Sequence, residues 1–270
     1  MPRFTIMALL SSAVLAALAH PHQARAQDAD LAKQLSNPIA SLISVPFIYN
    51  YDRGFGPEDG YRTGVTIQPV IPIALSDDWN VISRTITPIV WQDDIAGNSG
   101  RQFGLSDTVQ SLFLSPRATG PGGLTWGVGP VFLLPTATDP LLGSERWGAG
   151  PTGVALKQTG PWTYGLLANH IWSFAGHDDR NPINATFLQP FLSYTTADAW
   201  TFSLNTETTY DWETEDWSVP INAAVSKLVT IQGQPISLQA GLRYWAASGP
   251  AAAEGFGGKV GITFLFPKKN

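Results

Sequence analysis

From Ser41 onward the chain alternates polar and apolar residues with a period of two, the pattern of a strand with two different faces. The clearest run is Trp200–Glu213. One face carries Trp200, Phe202, Leu204, Thr206, Thr208, Tyr210 and Trp212; the other carries Thr201, Ser203, Asn205, Glu207, Thr209, Asp211 and Glu213. Its fourteen residues exceed by far the five or six usual in a soluble sheet. Comparable segments span Ser41–Tyr51, Tyr61–Leu75, Trp79–Gln92, Ser106–Ser115, Leu124–Leu134, Trp147–Gln158, Trp162–Phe174, Ala185–Thr196, Trp217–Val229, Ile236–Ala246 and Phe256–Phe266, which makes twelve with the first. Before them lies a short helical pattern, Asp28 to Gln34, ending at Asn37-Pro38.

The links between segments alternate in character. Long polar ones (Asp52–Gly60, Asp93–Gly104, Pro135–Arg146, Ala175–Asn184, Ala247–Gly255) take turns with tight ones such as Ser76-Asp77-Asp78, Thr159-Gly160-Pro161 and Ala197-Asp198-Ala199. Thr214–Asp216 is the short exception among the former. Long loops on one side and short turns on the other predict an all-β fold: an up-and-down antiparallel transmembrane β-barrel of about twelve strands, of the outer-membrane type.

Tryptophan supports this. Trp79 and Trp91 bracket one segment, Trp162 and Trp172 another, Trp200 and Trp212 a third, and Trp126, Trp147, Trp217 and Trp245 also stand near segment ends. Twelve residues rising ~3.3 Å each at a tilt of about 40° cover roughly 30 Å along the membrane normal, the separation expected of two aromatic girdles. The last segment adds Lys259, Gly261, Phe264 and Phe266, which resembles the C-terminal signal read by barrel-insertion machinery, although the chain continues with Pro267-Lys268-Lys269-Asn270. Pro46, Pro69, Pro72, Pro88, Pro130, Pro151, Pro190 and Pro220 fall inside the segments, where a missing N–H predicts bulges or register slips.

Residues 1–26 read as a cleaved export signal: Arg3, an apolar run from Ile6 to Ala19, then Ala24-Arg25-Ala26. Residues 27–39 are expected to form a short periplasmic segment, 40–266 the barrel and 267–270 a tail. Charged residues are only 14% of the chain against 44% hydrophobic, and without Arg3 and Arg25 the mature chain holds 14 Lys and Arg against 21 Asp and Glu. An acidic balance excludes a nucleic-acid footprint, and the absence of cysteine excludes disulfides, thiolate metal sites and thiol nucleophiles. No stretch after the signal is long and apolar enough for a membrane helix.

Asn37–Phe47, Phe132–Thr138, Trp147–Pro151, Asn169–Gly176 and Gln189–Tyr194 resemble bacterial outer-membrane proteins labelled "transporter", some of which carry the misleading name neuromedin U. The same stretches are similar to the MetA-pathway phenol-degradation outer-membrane barrels. The resemblance implies a barrel and the uptake of small solutes, aromatic ones among them, and brings no catalytic motif.

On the alternation, the inner face carries Arg62, Gln68, Arg84, Asn205, Glu207, Asp211, Asn222, Gln239, Arg243 and Lys259. A cation on the lipid face would cost ~2–4 kcal/mol at the midplane, so charge turns inward. Two readings stay open: a charge-selective passage, or a lumen filled by its own salt-bridged side chains. The expected protein is no enzyme and needs no cofactor. Its partners are outer-membrane lipid and lipopolysaccharide, the insertion machinery and a small solute. The enzymatic alternative is a lipid- or peptide-hydrolysing site at the external rim. His170 and Ser173, three apart on a strand, point to opposite faces, whereas His177-Asp178-Asp179 with Asp93-Asp94 could gather into an acid/base or calcium cluster if their loops meet.

Overall fold

The computed structural model describes residues 26–249 and 252–267; the export signal except Ala26, and the tail beyond Pro267, lie outside the described residues. Residues 26–35 are helical. The strands are β1 (Ile43–Phe55), β2 (Gly60–Ile67), β3 (Val70–Ala74), β4 (Trp79–Asp93), β5 (Arg101–Leu105), β6 (Thr108–Pro116), β7 (Leu124–Leu134), β8 (Arg146–Thr159), β9 (Trp162–Gly176), β10 (Asn184–Thr195), β11 (Trp200–Thr206), β12 (Thr208–Asp211), β13 (Asp216–Ile231), β14 (Gln234–Ala247) and β15 (Gly255–Phe266). All ladders between them are antiparallel, β15 pairs with β1, and β9 pairs with β10, so the sheet closes on itself. β2 with β3, β5 with β6, and β11 with β12 are halves of single crossings, which leaves twelve strands around the barrel.

The three interruptions explain the prolines. In an antiparallel ladder every other pair of opposite residues exchanges two backbone bonds, one given and one taken by each, and proline can only take. Gln68 donates its N–H to Pro46 O, Ser106 to Pro88 O and Glu207 to Pro220 O, and none receives a backbone bond in return. Those are the residues at which the crossings break. The Thr136 hydroxyl supplies the missing donor to Ser106 O at 2.9 Å. The β10 ladder is likewise interrupted between the pairs Phe191–Asn205 and Leu188–Thr208, a stretch holding Pro190. Pro130 and Pro151 stand opposite each other, and the flanking ladders skip both. Among the described residues, only at Val219/Pro220 does a proline sit at a register shift of the expected kind.

Gly150 lies in one such gap, where the strands pass so closely that a Cβ would collide with the carbonyl of His170. Gly150→Val is therefore expected to prevent closure of the β8–β9 seam. Loss of the heat-resistant compact band on cold SDS gels would show it, and a normally folded variant would contradict it.

Two aromatic belts flank the lipid-facing band. Trp79, Trp126, Trp162 and Trp200 stand at the short-turn end, with Trp79 edge-on to Trp126; Trp91, Trp147, Trp172, Trp212 and Trp217 stand at the loop end. Trp245 departs from the girdle expectation: it turns inward and donates its indole N–H to Asp52 at 3.0 Å. The outer face also holds a polar ladder, in which Thr85 donates to Gln110 (2.6 Å) and Gln110 to Ser83 (3.0 Å), so polar groups facing hydrocarbon satisfy one another.

The N-terminal segment packs against the barrel and partly into it. The helix lies against the short-turn end, where Leu31, Ala32, Ala40 and Leu42 pack with Ala199, Leu228 and Leu265. Thr230 bonds Asp28 at 2.9 Å and Gln158 bonds Lys33 O at 2.8 Å. Ile39 enters the lumen, 3% exposed, among Ile82, Phe113, Val154, Leu156 and Leu167 from four different strands. The short-turn half of the barrel is thus filled by an apolar cluster to which the chain's own N-terminal segment contributes.

Candidate functional site: a charged chamber in the lumen

Above that apolar floor the lumen opens into a cavity of about 850 Å³, a size typical of small-molecule sites. Even-numbered positions of β1 (Ile48, Asn50, Asp52) and β4 (Arg84, Ile86, Pro88) line it, as a two-residue period requires. Apolar wall comes also from Val109, Leu133, Ile171 and Phe187; Phe55, Ala252 and Ala253 line it toward the loop end.

Of the ten residues expected on the inner face, Arg62, Gln68, Arg84, Asn205, Glu207, Gln239, Arg243 and Lys259 line this one cavity. Asn222 stands behind them, 1% exposed. Its amide donates to Asn205 (3.0 Å) and Glu207 (3.3 Å) and accepts from Arg243 Nε (2.9 Å). Asp211 is placed elsewhere: it lies in the β12–β13 hairpin and accepts the backbone N–H of Glu213 at 2.9 Å. The strand alternation that pointed it inward still holds, but the crossing ends there and its carboxylate caps the turn.

Arg243 organises the site. Its guanidinium meets Asp52 at 2.8 Å and Glu207 at 3.0 Å, so one cation from β14 ties β1 to the break between β11 and β12. Glu207 is free to reach it because the proline-induced break releases the backbone there. Arg62 bonds Gln92 at 2.9 Å, and Gln92, 2% exposed, passes bonds to Gln102 and to Leu141 O, both at 3.0 Å.

The second of these contacts ties the longest loop, residues 135–145, to the barrel wall at the loop end. Leu142 of this loop is itself buried, its carbonyl taking the Ser106 hydroxyl at 2.6 Å. Asp107, at the break between β5 and β6, receives the Ser144 N–H (2.7 Å) and hydroxyl (2.6 Å). Arg180 bonds Pro140 O at 2.7 Å and pairs with Glu145 at 3.2 Å.

Asp52, Asn50, Gln92 and Trp245 were not among the expected residues. Asp52 continues the even-numbered inner face of β1 past Tyr51, and that parity is the signal that could have found it. The hairpin continues further than the composition of Asp52–Gly60 suggested.

The rim reading fares differently. Arg180, in the loop of His177-Asp178-Asp179, clamps the neighbouring loop, and among the described residues no three His, Cys, Asp or Glu side chains are placed to hold a metal ion. His170 faces outward beside Trp172, with ring centroids 4.0 Å apart, and its Nδ1 meets the Thr186 hydroxyl at 2.7 Å. Its Nε2 is buried without a partner among the described residues. Ser173 is occupied instead by the backbone N–H of Ile183 at 2.9 Å.

No protein family model and no curated protein sequence matches this chain. Solved structures do. The COG4313 outer membrane channel from Pseudomonas putida F1 is 15% identical with a TM-score of 0.66, over 84% of this chain and 96% of that one. Outer membrane phospholipase A from Escherichia coli is 13% identical with a TM-score of 0.52, over 83% and 90%. At these identities the likeness establishes the architecture: the chain folds as a closed twelve-stranded barrel of the outer-membrane type.

Proposed function

We propose that this protein is an outer-membrane channel for small solutes, exported through residues 1–26 and inserted by the barrel machinery, with the long loops facing lipopolysaccharide. The observation that carries the reading is the chamber of about 850 Å³ lying inside a closed barrel, with polar and charged groups on its walls. A structural barrel gains nothing from leaving such a volume unfilled by side chains, since interiors that only support a fold are close-packed. The similarity to the MetA-pathway phenol-degradation barrels favours small, aromatic-bodied solutes, and the apolar walls formed by Ile86, Ile171 and Phe187 suit them.

Purified protein in planar bilayers is expected to give discrete conductance steps, small because of the N-terminal segment, and liposomes containing it should admit a phenolic solute faster than empty ones. No conductance and no flux would leave a structural barrel. The other reading is a lipid hydrolase on the outer face, favoured by the His170–Thr186 contact and by the phospholipase that shares the fold. It lacks a group orienting the imidazole, which a hydroxyl nucleophile and its base require. Phospholipid hydrolysis that disappears in Thr186→Ala and His170→Ala would establish it in place of the channel.

A further inference from the structure

The chamber carries an unbalanced charge. Four cations line it, Arg62, Arg84, Arg243 and Lys259, against two carboxylates, Asp52 and Glu207, a formal +2 inside a chain whose total is −5. Arg243 takes both carboxylates. Among the described residues, Arg84 and Lys259 have no carboxylate within 4.0 Å and make no side-chain hydrogen bond, although both stand in electrostatic range of Glu207. With Glu207 already held by Arg243, Arg84 and Lys259 keep positive charge that no carboxylate contacts, and in a confined space such charge attracts an anion.

The position of Arg84 says what kind of anion. On the inward face of β4 it lies between Ile82, fully buried in the apolar floor, and Ile86, part of the chamber wall. A ligand that placed its negative group on Arg84 would lay the rest of itself along apolar wall. Arginine's planar fork matches a carboxylate in two parallel bonds, and lysine adds a mobile point charge.

We infer that Arg84 and Lys259 form a carboxylate subsite in the chamber, which takes organic monoanions with an aromatic or aliphatic body. The inference rests on the channel reading for its purpose but on the chamber alone for its chemistry. An acid of this kind enters as the anion, its charge met by the two free cations, while its body displaces water from Ile86 and Phe187. A neutral analogue of the same shape keeps only the second gain.

The test uses the full mature chain in detergent, with 4-phenylbutyrate and its uncharged amide as probes in titration calorimetry. The acid is expected to bind at least about tenfold more tightly than the amide, an advantage that shrinks with added salt. In Arg84→Gln or Lys259→Gln the two probes should bind within about twofold of each other, as the loss of one charge-assisted contact predicts. Where one variant fails to give the folded band on cold SDS gels, the other decides. Equal binding of acid and amide to the unaltered protein, or a preference for the acid that survives in a folded variant, overturns the subsite. Flux into liposomes is read separately. Selective binding without flux leaves the subsite and removes the channel, whereas flux of both probes at one rate with no selective binding does the reverse.

Discussion

Arg243→Ala is expected to be the most destabilising single change in the lumen, costing about 3–5 kcal/mol, because removal of one partner from a buried ion pair leaves the other charge uncompensated. Asp52 bears most of this, being nearly buried and reached also by Trp245; Glu207, about a third exposed, can rehydrate from the chamber and contributes less. The loss spreads through Asn222, whose carbonyl oxygen would be left without its donor at 1% exposure. Unfolding in urea from lipid vesicles measures the cost. The double variant Arg243→Gln with Asp52→Asn should recover much of it, since neither buried charge then remains. A double variant no more stable than Arg243→Ala would place the effect in packing, and the ion pair would be a bystander.

Removal of residues 28–40 is expected to raise single-channel conductance severalfold while leaving the barrel folded. This segment puts Ile39 into the lumen among Ile82, Phe113 and Leu167 and holds the helix at the short-turn end. None of its backbone takes part in the ladders, which begin at Ile43. Ile39→Asp should act in the same direction with the segment intact, because an ionised carboxylate in that apolar cluster costs several kcal/mol and drives the segment out. Planar-bilayer recordings of the three proteins decide the matter. Unchanged conductance in both variants would mean that the passage is limited at the loop end.

The two predictions concern opposite halves of the same lumen. Toward the loops the walls are charged and bonded through Arg243, Asn222 and Gln92, which fixes the chamber's shape. Toward the short turns the contents are apolar, and part of them belongs to a segment that no strand pairing retains. A solute entering from the loop end would meet the cations first and the removable apolar floor afterwards. That order suits a molecule with an anionic head and an apolar body better than a simple ion.

Much of this was legible in the chain. A period of two is local, so each strand carries its own record of which side faces out; Trp200, Phe202 and Leu204 are exposed while Thr201 is buried, as their alternation predicts. Eight of the ten residues read as inward-facing line the chamber for the same reason. Aromatic residues at strand ends and the contrast between loops and turns are local too, and they were enough to predict a closed barrel of twelve strands.

The remainder depends on which strand lies beside which. Prolines announced trouble in the ladder, but that Pro46, Pro88 and Pro220 would break the opposite strand at Gln68, Ser106 and Glu207 follows only from the register. By composition Asp52 falls in a loop; its partner Arg243, 191 positions away, holds it on the barrel wall. The apolar face of the N-terminal segment names no partner in sequence; Leu228 and Leu265, far along the chain, supply one. Sequence by itself determined the strands, their faces and the inward turn of charge, since steric period and the cost of charge in lipid act residue by residue. Closure of the sheet decided the rest, because ion pairing, plugging and an unmatched pair of cations are properties of side chains that share a space without sharing a neighbourhood in sequence.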